Sequence, residues 1–327
     1  MIVSAKITGV NVAYADYSKQ PAGVKRGSPD WVMTRSELMA FAACPEKWIA
    51  SEDTDTDTPA TIWGRLVECL EMSPENFGSL FVVHPETYPP AGKPWTRRAN
   101  YCSDWEEERT SAGLTVISPK VRAEADIALY ALRSYLPRVD LVACSKKQVM
   151  VEGSFSVGAQ TIPLRCLLDL VPNKTHLNFG RWLADSKTAR NGDPKAFERV
   201  IDDEAYDVQA ALGMDLYKKA TGEDRTDWVF PLQENIKPYH VVKPMPALTA
   251  EFIAWGRDKY VAALGYYSRC LDSGQWPSYP VRGFVMGNAQ YLSPAELWSY
   301  KQGGVTGAMP QDYEPPPPER DDQEVTP

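Results

Sequence analysis

The sequence predicts an α/β (α+β) fold, in which a central mixed sheet contains an antiparallel meander and is flanked by helices. Two patterns carry this prediction: apolar and polar residues alternate from Val149 onward, and capped helical segments stand on both sides of that stretch. The chain has 327 residues, of which 43% are hydrophobic, enough for one large core. We expect a folded domain over residues 31–285, after an N-terminal arm (1–30) and before a C-terminal extension (286–327).

Three helix starts stand out in the first half of the chain. The segment from Thr34 to Glu37 is a capping box, in which the threonine hydroxyl and the glutamate carboxylate both satisfy free amides. Thr58-Pro59 and Ser118-Pro119 each combine an N-cap residue with a first-turn proline. We expect helices after each of them, with an acidic loop at 51–57 and a short extended segment at 81–85.

The stretch from 93 to 109 has no clear periodicity, and we interpret it as a loop. Arg97 and Arg98 lie there among Trp95, Tyr101 and Trp105. Basic residues interleaved with aromatic ones are suited to phosphate and base contacts. A solvated loop that packs its aromatic side chains inward explains the pattern equally well.

Three consecutive segments have strand character. Val149, Val151, Phe155 and Val157 alternate with polar residues, and the apolar runs 164–171 and 182–189 follow, separated by turn signals. Short turns join antiparallel neighbours, so these segments predict a three-stranded meander. The second and third runs then lie side by side.

The rest of the chain returns to helical patterns. Asp193-Pro194 begins one helix, and residues 203–218 form a longer one in which Gln209 interrupts an apolar stripe, as expected of a side chain that meets a polar group inside. Segments 228–232 and 239–242 read as strands, and 248–270 as a long helix. From Met309 onward the chain is Pro-rich and acidic, which is typical of a disordered tail.

The bulk composition excludes several classes of protein. No run of about 18 apolar residues is present, so we expect no membrane partner and a cytoplasmic location. The six cysteines form no C-x-x-C pair, which argues against a zinc ribbon. The net charge is -8, but the last nineteen residues hold six acids and one arginine. A nearly balanced body can still carry a basic groove.

Acidic residues and a lysine mark the candidate site. Asp169 lies in an apolar run, where an unpaired carboxylate is costly, and Asp185 and Lys187 point to the same face of the next strand. Two acids and a lysine on neighbouring strands can hold a hard divalent cation. A solvated strand end with a salt bridge is the simpler explanation of the D-x-K triplet alone. Glu68, one turn after Gly64, is either a metal ligand or half of an exposed Arg65–Glu68 pair.

Taken in order, these residues resemble the PD-(D/E)XK nuclease superfamily and, within it, the RecE-type exonuclease group (exonuclease VIII). The resemblance runs from about Thr34 to Pro280. It rests on the following segments: 36–38, 44–45, 63–70, 74–77, 165–169, 185–188, 206–211 and 276–277. The sequence departs from the pattern at Glu68, where RecE-like proteins usually have His, and at Gly213, where Tyr is frequent.

The resemblance implies a role for each matched residue. Glu68, Asp169 and Asp185, with the Ser186 carbonyl, would bind Mg²⁺ or Mn²⁺. Lys187 would act on the attacking water or the phosphate, and Gln209 would support the site. The residues expected to contact DNA are Arg97, Arg98, Arg165, Thr188 and Arg190.

The resemblance also implies a function. The protein would be a metal-dependent exodeoxyribonuclease that degrades linear double-stranded DNA from 5′ to 3′ and leaves 3′ single strands for phage-type recombination. A single-strand annealing protein would be its partner and a homo-oligomeric ring its assembly. Two alternatives stay open: a helicase-associated or CRISPR-adaptation-like nuclease of the same superfamily, and a non-catalytic DNA-binding protein on this fold.

Overall fold

The computed structural model of the protein describes residues 1–51, 58–88 and 92–279. The predicted C-terminal extension and tail, and most of the predicted acidic loop, lie outside these ranges. Within them, no helix is both long and apolar enough to cross a membrane.

The secondary structure alternates helices and strands along the chain. The helices are α1 (Tyr14–Tyr17), α2 (Arg35–Ala43), α3 (Pro45–Ala50), α4 (Pro59–Met72), α5 (Phe77–Leu80), α6 (Asn100–Ser111), α7 (Pro119–Arg133), α8 (Leu136–Ala143), α9 (Pro194–Asp203), α10 (Tyr206–Thr221) and α11 (Ala250–Ser273). The strands are β1 (Ile2–Gly9), β2 (Phe81–Val83), β3 (Thr87–Tyr88), β4 (Lys93–Pro94), β5 (Thr115–Ile117), β6 (Ser145–Val157), β7 (Gln160–Pro172), β8 (Trp182–Ala184), β9 (Lys187–Ala189), β10 (Asp227–Val229) and β11 (Leu232–Glu234).

A five-stranded mixed sheet forms the centre, in the order β1-β6-β7-β8-β10. The pairs β1–β6, β6–β7 and β7–β8 are antiparallel, and the pair β8–β10 is parallel. The predicted fold class and its antiparallel meander are therefore confirmed. Helices α10 and α11 pack on this sheet, and α4 and α7 form a second helical group with its own apolar cluster. Leu141 of α8 lies in a third cluster, with residues of the central sheet.

The third predicted strand is split in two. β8 ends at Ala184 and β9 begins at Lys187, and β9 pairs with β11 in a separate two-stranded sheet. Asp185 and Ser186 therefore lie at the point where the chain leaves the central sheet. Their backbone amide groups are still paired in part, since the Asp185 N–H donates to the carbonyl of Val229 at 3.0 Å.

The N-cap predictions are confirmed by hydrogen bonds. Thr34, Thr58, Ser118 and Asp193 each accept a backbone N–H two or three residues ahead. The capping box is only half formed, because the Glu37 carboxylate accepts hydrogen bonds from Arg26 and the Trp48 indole. At this carboxylate, tertiary hydrogen bonds take the place of the local bond to the N-cap amide that a complete capping box has.

The N-terminal arm (1–30) contains an edge strand of the central sheet, Ile2–Gly9, which pairs antiparallel with β6. Two segments differ from the sequence-based expectation. Part of the stretch predicted as a loop, Asn100–Ser111, is helix α6; it buries only Cys102, so it shows no apolar periodicity. The predicted strand at 239–242 makes only an isolated bridge, between Gln233 and Val241.

Candidate active site

The candidate acids converge from three different parts of the fold. Glu68 projects from α4, Asp169 from β7, and Asp185 from the break between β8 and β9. α10 crosses the same region and brings Gln209 to it. These acids and their partners lie at the junction of the helical group with the central sheet.

Asp169 is fixed by the next strand of the meander. Its Oδ2 accepts the Ser186 backbone N–H at 2.8 Å, and the residue is only 9% exposed. Burial raises the pKa of Asp169 well above its ordinary value of 3.8, and the charges of Asp185 and Glu68 raise it further. The three acids thus interact electrostatically.

Asp185 and Lys187 form a buried ion pair. The Lys187 ammonium contacts Oδ2 of Asp185, whose side chain is 2% exposed. Burial lowers the pKa of Lys187, but the charges of Asp185, Tyr206 and Asp169 more than offset this, so the pKa is raised overall. The Tyr206 ring lies 4.5 Å from Nζ, in cation–π contact. Lys187 is therefore held as a cation.

Glu68 is half-buried and contacts the central sheet through its carboxylate. Its Oε1 accepts a hydrogen bond of 2.9 Å from Nε2 of Gln148 on β6. Burial raises the pKa of Glu68, the Gln148 hydrogen bond lowers it, and the charge of Asp185 raises it again, for a net increase. Ionisation of Glu68 therefore carries a desolvation cost.

Gln209 confirms the expectation that its side chain meets a polar group inside. Its Nε2 donates to Oδ1 of Asp185 at 2.8 Å. Its Oε1 is buried and has no hydrogen-bond donor among the described residues. A buried acceptor without a donor fits a site that receives a water or a cation-bound group.

A cavity of about 270 Å³ opens beside these residues. α4 contributes Gly64 and Glu68 to its wall, and β9 contributes Lys187 and Thr188. A Cβ atom at Gly64 would lie 3.5 Å from Oγ1 of Thr188, in ordinary van der Waals contact, so α4 and β9 lie close together at this wall of the cavity. The volume is at the lower end for pockets that take small molecules.

A buried ion pair between Arg138 and Glu71 contacts the segment from Asp185 to Lys187. Arg138 on α8 donates from Nε to Glu71 on α4 at 2.8 Å, and its Nη2 contacts the other carboxylate oxygen. The same Nη2 donates to Oγ of Ser186 at 3.0 Å. This contact ties both helices to the residue whose amide binds Asp169.

The donor set fits a hard divalent cation, although no ready-made cage is present. Within the described ranges, no group of three or more His, Cys, Asp or Glu side chains is arranged as a metal site. Gln148, Gln209, Ser186 and Lys187 instead occupy oxygen atoms of the three acids. Two buried carboxylates and the half-buried Glu68 disfavour one another's charge, and Mg²⁺ or Mn²⁺ would neutralise them.

Most of the predicted DNA contacts do not line the cavity. Arg97 is exposed and pairs with Glu106 at 2.8 Å, and Arg98 and Arg190 are exposed elsewhere on the surface. Arg165 is 8% exposed and donates to Glu152 and to the backbone carbonyls of the 17–19 segment. The expectation that Arg165 contacts DNA is corrected, because its guanidinium is committed inside the fold. Thr188 does line the cavity.

Gly213 does not face the site at all. A Cβ atom there would lie 3.0 Å from Leu168 and 3.0 Å from Trp228, in the packing between α10 and the sheet. The tyrosine that is frequent at this place in the resembled family could not be accommodated here. Tyr206, one turn before Gln209, provides the aromatic group at the site instead.

Sequence reasoning missed four residues of the site: Gln148, Arg138, Glu71 and the aromatic role of Tyr206. Gln148 lies 80 positions from Glu68, and Arg138 lies 67 positions from Glu71. No local pattern connects such pairs. An arginine at a helix start and a glutamine inside an apolar strand are the only signals that the sequence offered.

Comparisons with known proteins support the fold and no more. No family model matches the chain, and no curated protein matches it. Among solved structures, a candidate exonuclease from Eubacterium rectale aligns with 12% identity and a TM-score of 0.52, over 87% of this chain and 95% of that one. This likeness shows a shared, nuclease-like fold.

Two fungal Rai1 structures align less well. Rai1 of Scheffersomyces stipitis, in complex with (3′-NADP)⁺ and calcium, has 10% identity and a TM-score of 0.26, over 83% of this chain and 75% of that one. Candida albicans Rai1 with pU5-Mn²⁺ has 11% identity and a TM-score of 0.25, over 90% and 70%. Such scores support no argument about this chain.

Proposed function

We propose that the protein is a metal-dependent nuclease that hydrolyses phosphodiester bonds. One observation carries the proposal: two buried acids, the half-buried Glu68 and a lysine come together from distant parts of the sequence, and Glu68 and Lys187 of this set line a cavity. Burying such a set is costly for folding. Metal-dependent phosphodiester hydrolysis uses a set of this kind, because carboxylates hold the metal cation and a nearby lysine stabilises negative charge on the phosphate.

Each residue has a distinct part in this chemistry. Glu68, Asp169 and Asp185 would hold the cation, which when bound supplies Lewis acidity and a more acidic water. Lys187, which is charged in this structure, stabilises negative charge that develops on the phosphate. Gln209 orients Asp185, and its free Oε1 can accept a hydrogen bond from the attacking water.

At finer detail, we propose an exodeoxyribonuclease of the RecE type. Its substrate is the end of linear double-stranded DNA, degraded from 5′ to 3′ with Mg²⁺ or Mn²⁺, and its product is a 3′ single strand for recombination in a phage-infected or bacterial cell. The sequence resemblance supports this proposal, and the name of the Eubacterium rectale neighbour agrees only with an exonuclease activity. A homo-oligomeric ring and an annealing partner belong to the same proposal.

The test is digestion of a linear duplex labelled at the 5′ or the 3′ end, with Mg²⁺ or with a chelator. We expect metal-dependent release of the 5′ label from linear DNA, no attack on closed circles, and no cleavage by Lys187→Ala. Lys195, which is exposed at the start of α9, provides the control variant Lys195→Ala, which should cleave as the wild type does.

Other outcomes would select an alternative. Cleavage of circular DNA would make the protein an endonuclease of the same superfamily. DNA binding without cleavage under any metal would overturn the catalytic proposal and favour a non-catalytic binding protein. An iron–sulfur nuclease is disfavoured, because the described residues bring no three cysteines together.

A further inference from the structure

Gln148 has an unusual backbone conformation for a residue inside a long strand. Its φ is +46°, in the left-handed region that only glycine adopts readily. The flanking pairs Lys147–Leu170 and Val149–Leu168 keep their register with β7. Gln148 therefore lies opposite Asp169, and the irregularity is confined to this one residue.

The N-terminal segment holds this conformation in place. The N–H of Asn11 donates to the carbonyl of Lys147 at 2.9 Å, and the N–H of Val12 donates to the carbonyl of Gln148 at 3.1 Å. These bonds continue the pairing of β1 with β6 past the irregular residue. Strained residues persist where the surrounding structure fixes them, and they concentrate at functional sites.

The conformation directs the Gln148 side chain to Glu68. The residue is 9% exposed, and its Nε2 donates to Oε1 of Glu68 at 2.9 Å. An uncharged amide donor suits a metal ligand: it fixes the carboxylate on one oxygen and leaves its negative charge intact. An arginine or lysine in this place would compete with the cation for that charge.

We propose that Gln148 is a positioning residue that fixes the Glu68 carboxylate for metal binding, and that residues 9–12 support it by holding its strained peptide. The inference rests on the proposed function, since it takes Glu68 as a metal ligand. It also gives the N-terminal segment a part in the site, although that segment lies far from the acids in sequence.

The test compares Mn²⁺ binding by calorimetry in four full-length proteins: wild type, Gln148→Gly, Glu68→Gln and the double variant. Glycine accepts a positive φ, so Gln148→Gly keeps the backbone and removes only the amide. We expect Gln148→Gly to weaken Mn²⁺ binding about 10-fold, the usual effect of losing such a partner. In the Glu68→Gln background the same change should have no further effect.

Lys146→Gly is the matched control, because Lys146 is an exposed residue of the same strand. It should bind Mn²⁺ like the wild type, and urea unfolding should show that Gln148→Gly is folded. Equal Mn²⁺ affinity of wild type and Gln148→Gly would overturn the inference and leave the proposed function standing. So would an equal loss with and without Glu68. A wild-type protein that binds no Mn²⁺ would overturn both.

Discussion

The Arg138–Glu71 pair allows the sharpest prediction about stability. The two side chains are 3% and 7% exposed, and Arg138 also donates to Ser186. In Arg138→Met the Glu71 carboxylate stays buried without a cation. Removal of one partner from a buried pair costs about 3–5 kcal/mol of unfolding free energy. The hydrogen bond to Ser186 is lost in the same variant.

A double variant separates the charge from the packing. Glu71→Leu combined with Arg138→Met removes both buried charges and keeps similar volumes, which is frequently neutral for stability. We therefore expect the double variant to regain most of the lost free energy. Its cleavage rate should remain about 10-fold low, because Ser186 has lost the contact that fixes it.

The assay is urea unfolding followed by circular dichroism, without metal, with unchanged m-values as the condition for comparison. Arg133→Met is the control, since Arg133 is exposed near the end of α7, and it should change stability by less than about 0.5 kcal/mol. A cost below about 1 kcal/mol for Arg138→Met, or a double variant as unstable as the single one, would refute the reasoning.

Three further predictions concern the acids and the packing around them. Lys187→Met should lower the cleavage rate by about 100-fold or more. It should also tighten Mn²⁺ binding, measured by calorimetry, because no ammonium then competes with the metal for Asp185. Weaker Mn²⁺ binding would contradict the assignment of Asp185 as a metal ligand. In metal-free protein, Asp169→Asn should become more stable relative to wild type as pH rises above about 4. The pKa of Asp169 is raised, so ionising this carboxyl costs more free energy in the folded than in the unfolded state. Parallel pH profiles of the two proteins in urea unfolding would contradict this. Gly213→Tyr should destabilise the fold by at least about 1–3 kcal/mol through overpacking against Trp228, and a stable variant would show that this packing is looser than the structure indicates.

Capping and alternation patterns in the sequence predicted the elements that depend on interactions between residues close in the chain. Thr58 and Ser118 cap their helices through contacts within three residues, and the β6–β7 hairpin follows from alternation and a turn at Gly158. Gln209 was identified for a similar reason, because a polar side chain in an apolar helical stripe must meet a partner. Each of these predictions depends only on residues close in sequence, or on the general rule that buried polar groups are hydrogen-bonded.

The features that the sequence could not reveal depend on distant segments. Helix α6 is polar on nearly every side, so its pattern does not differ from that of a loop. The sequence alone predicts that Arg165 is available to contact DNA, but in the structure its guanidinium donates to backbone carbonyl groups of the N-terminal segment. Gln148 reaches Glu68 only through a backbone conformation that no propensity favours. Non-local contacts decide all three cases.

The site as a whole works against the stability of the protein that contains it. Asp169 is buried, Glu68 is half-buried, and the charge of Asp185 raises the pKa of both. The contacts that Glu68 and Asp169 receive come from an amide and a backbone N–H, neither of which cancels a charge. The Lys187 ammonium pairs with Asp185 instead. Replacing such a group by apolar side chains would stabilise most folds. The proposed divalent cation would offset this cost, and we expect it to raise the stability of the protein when it binds.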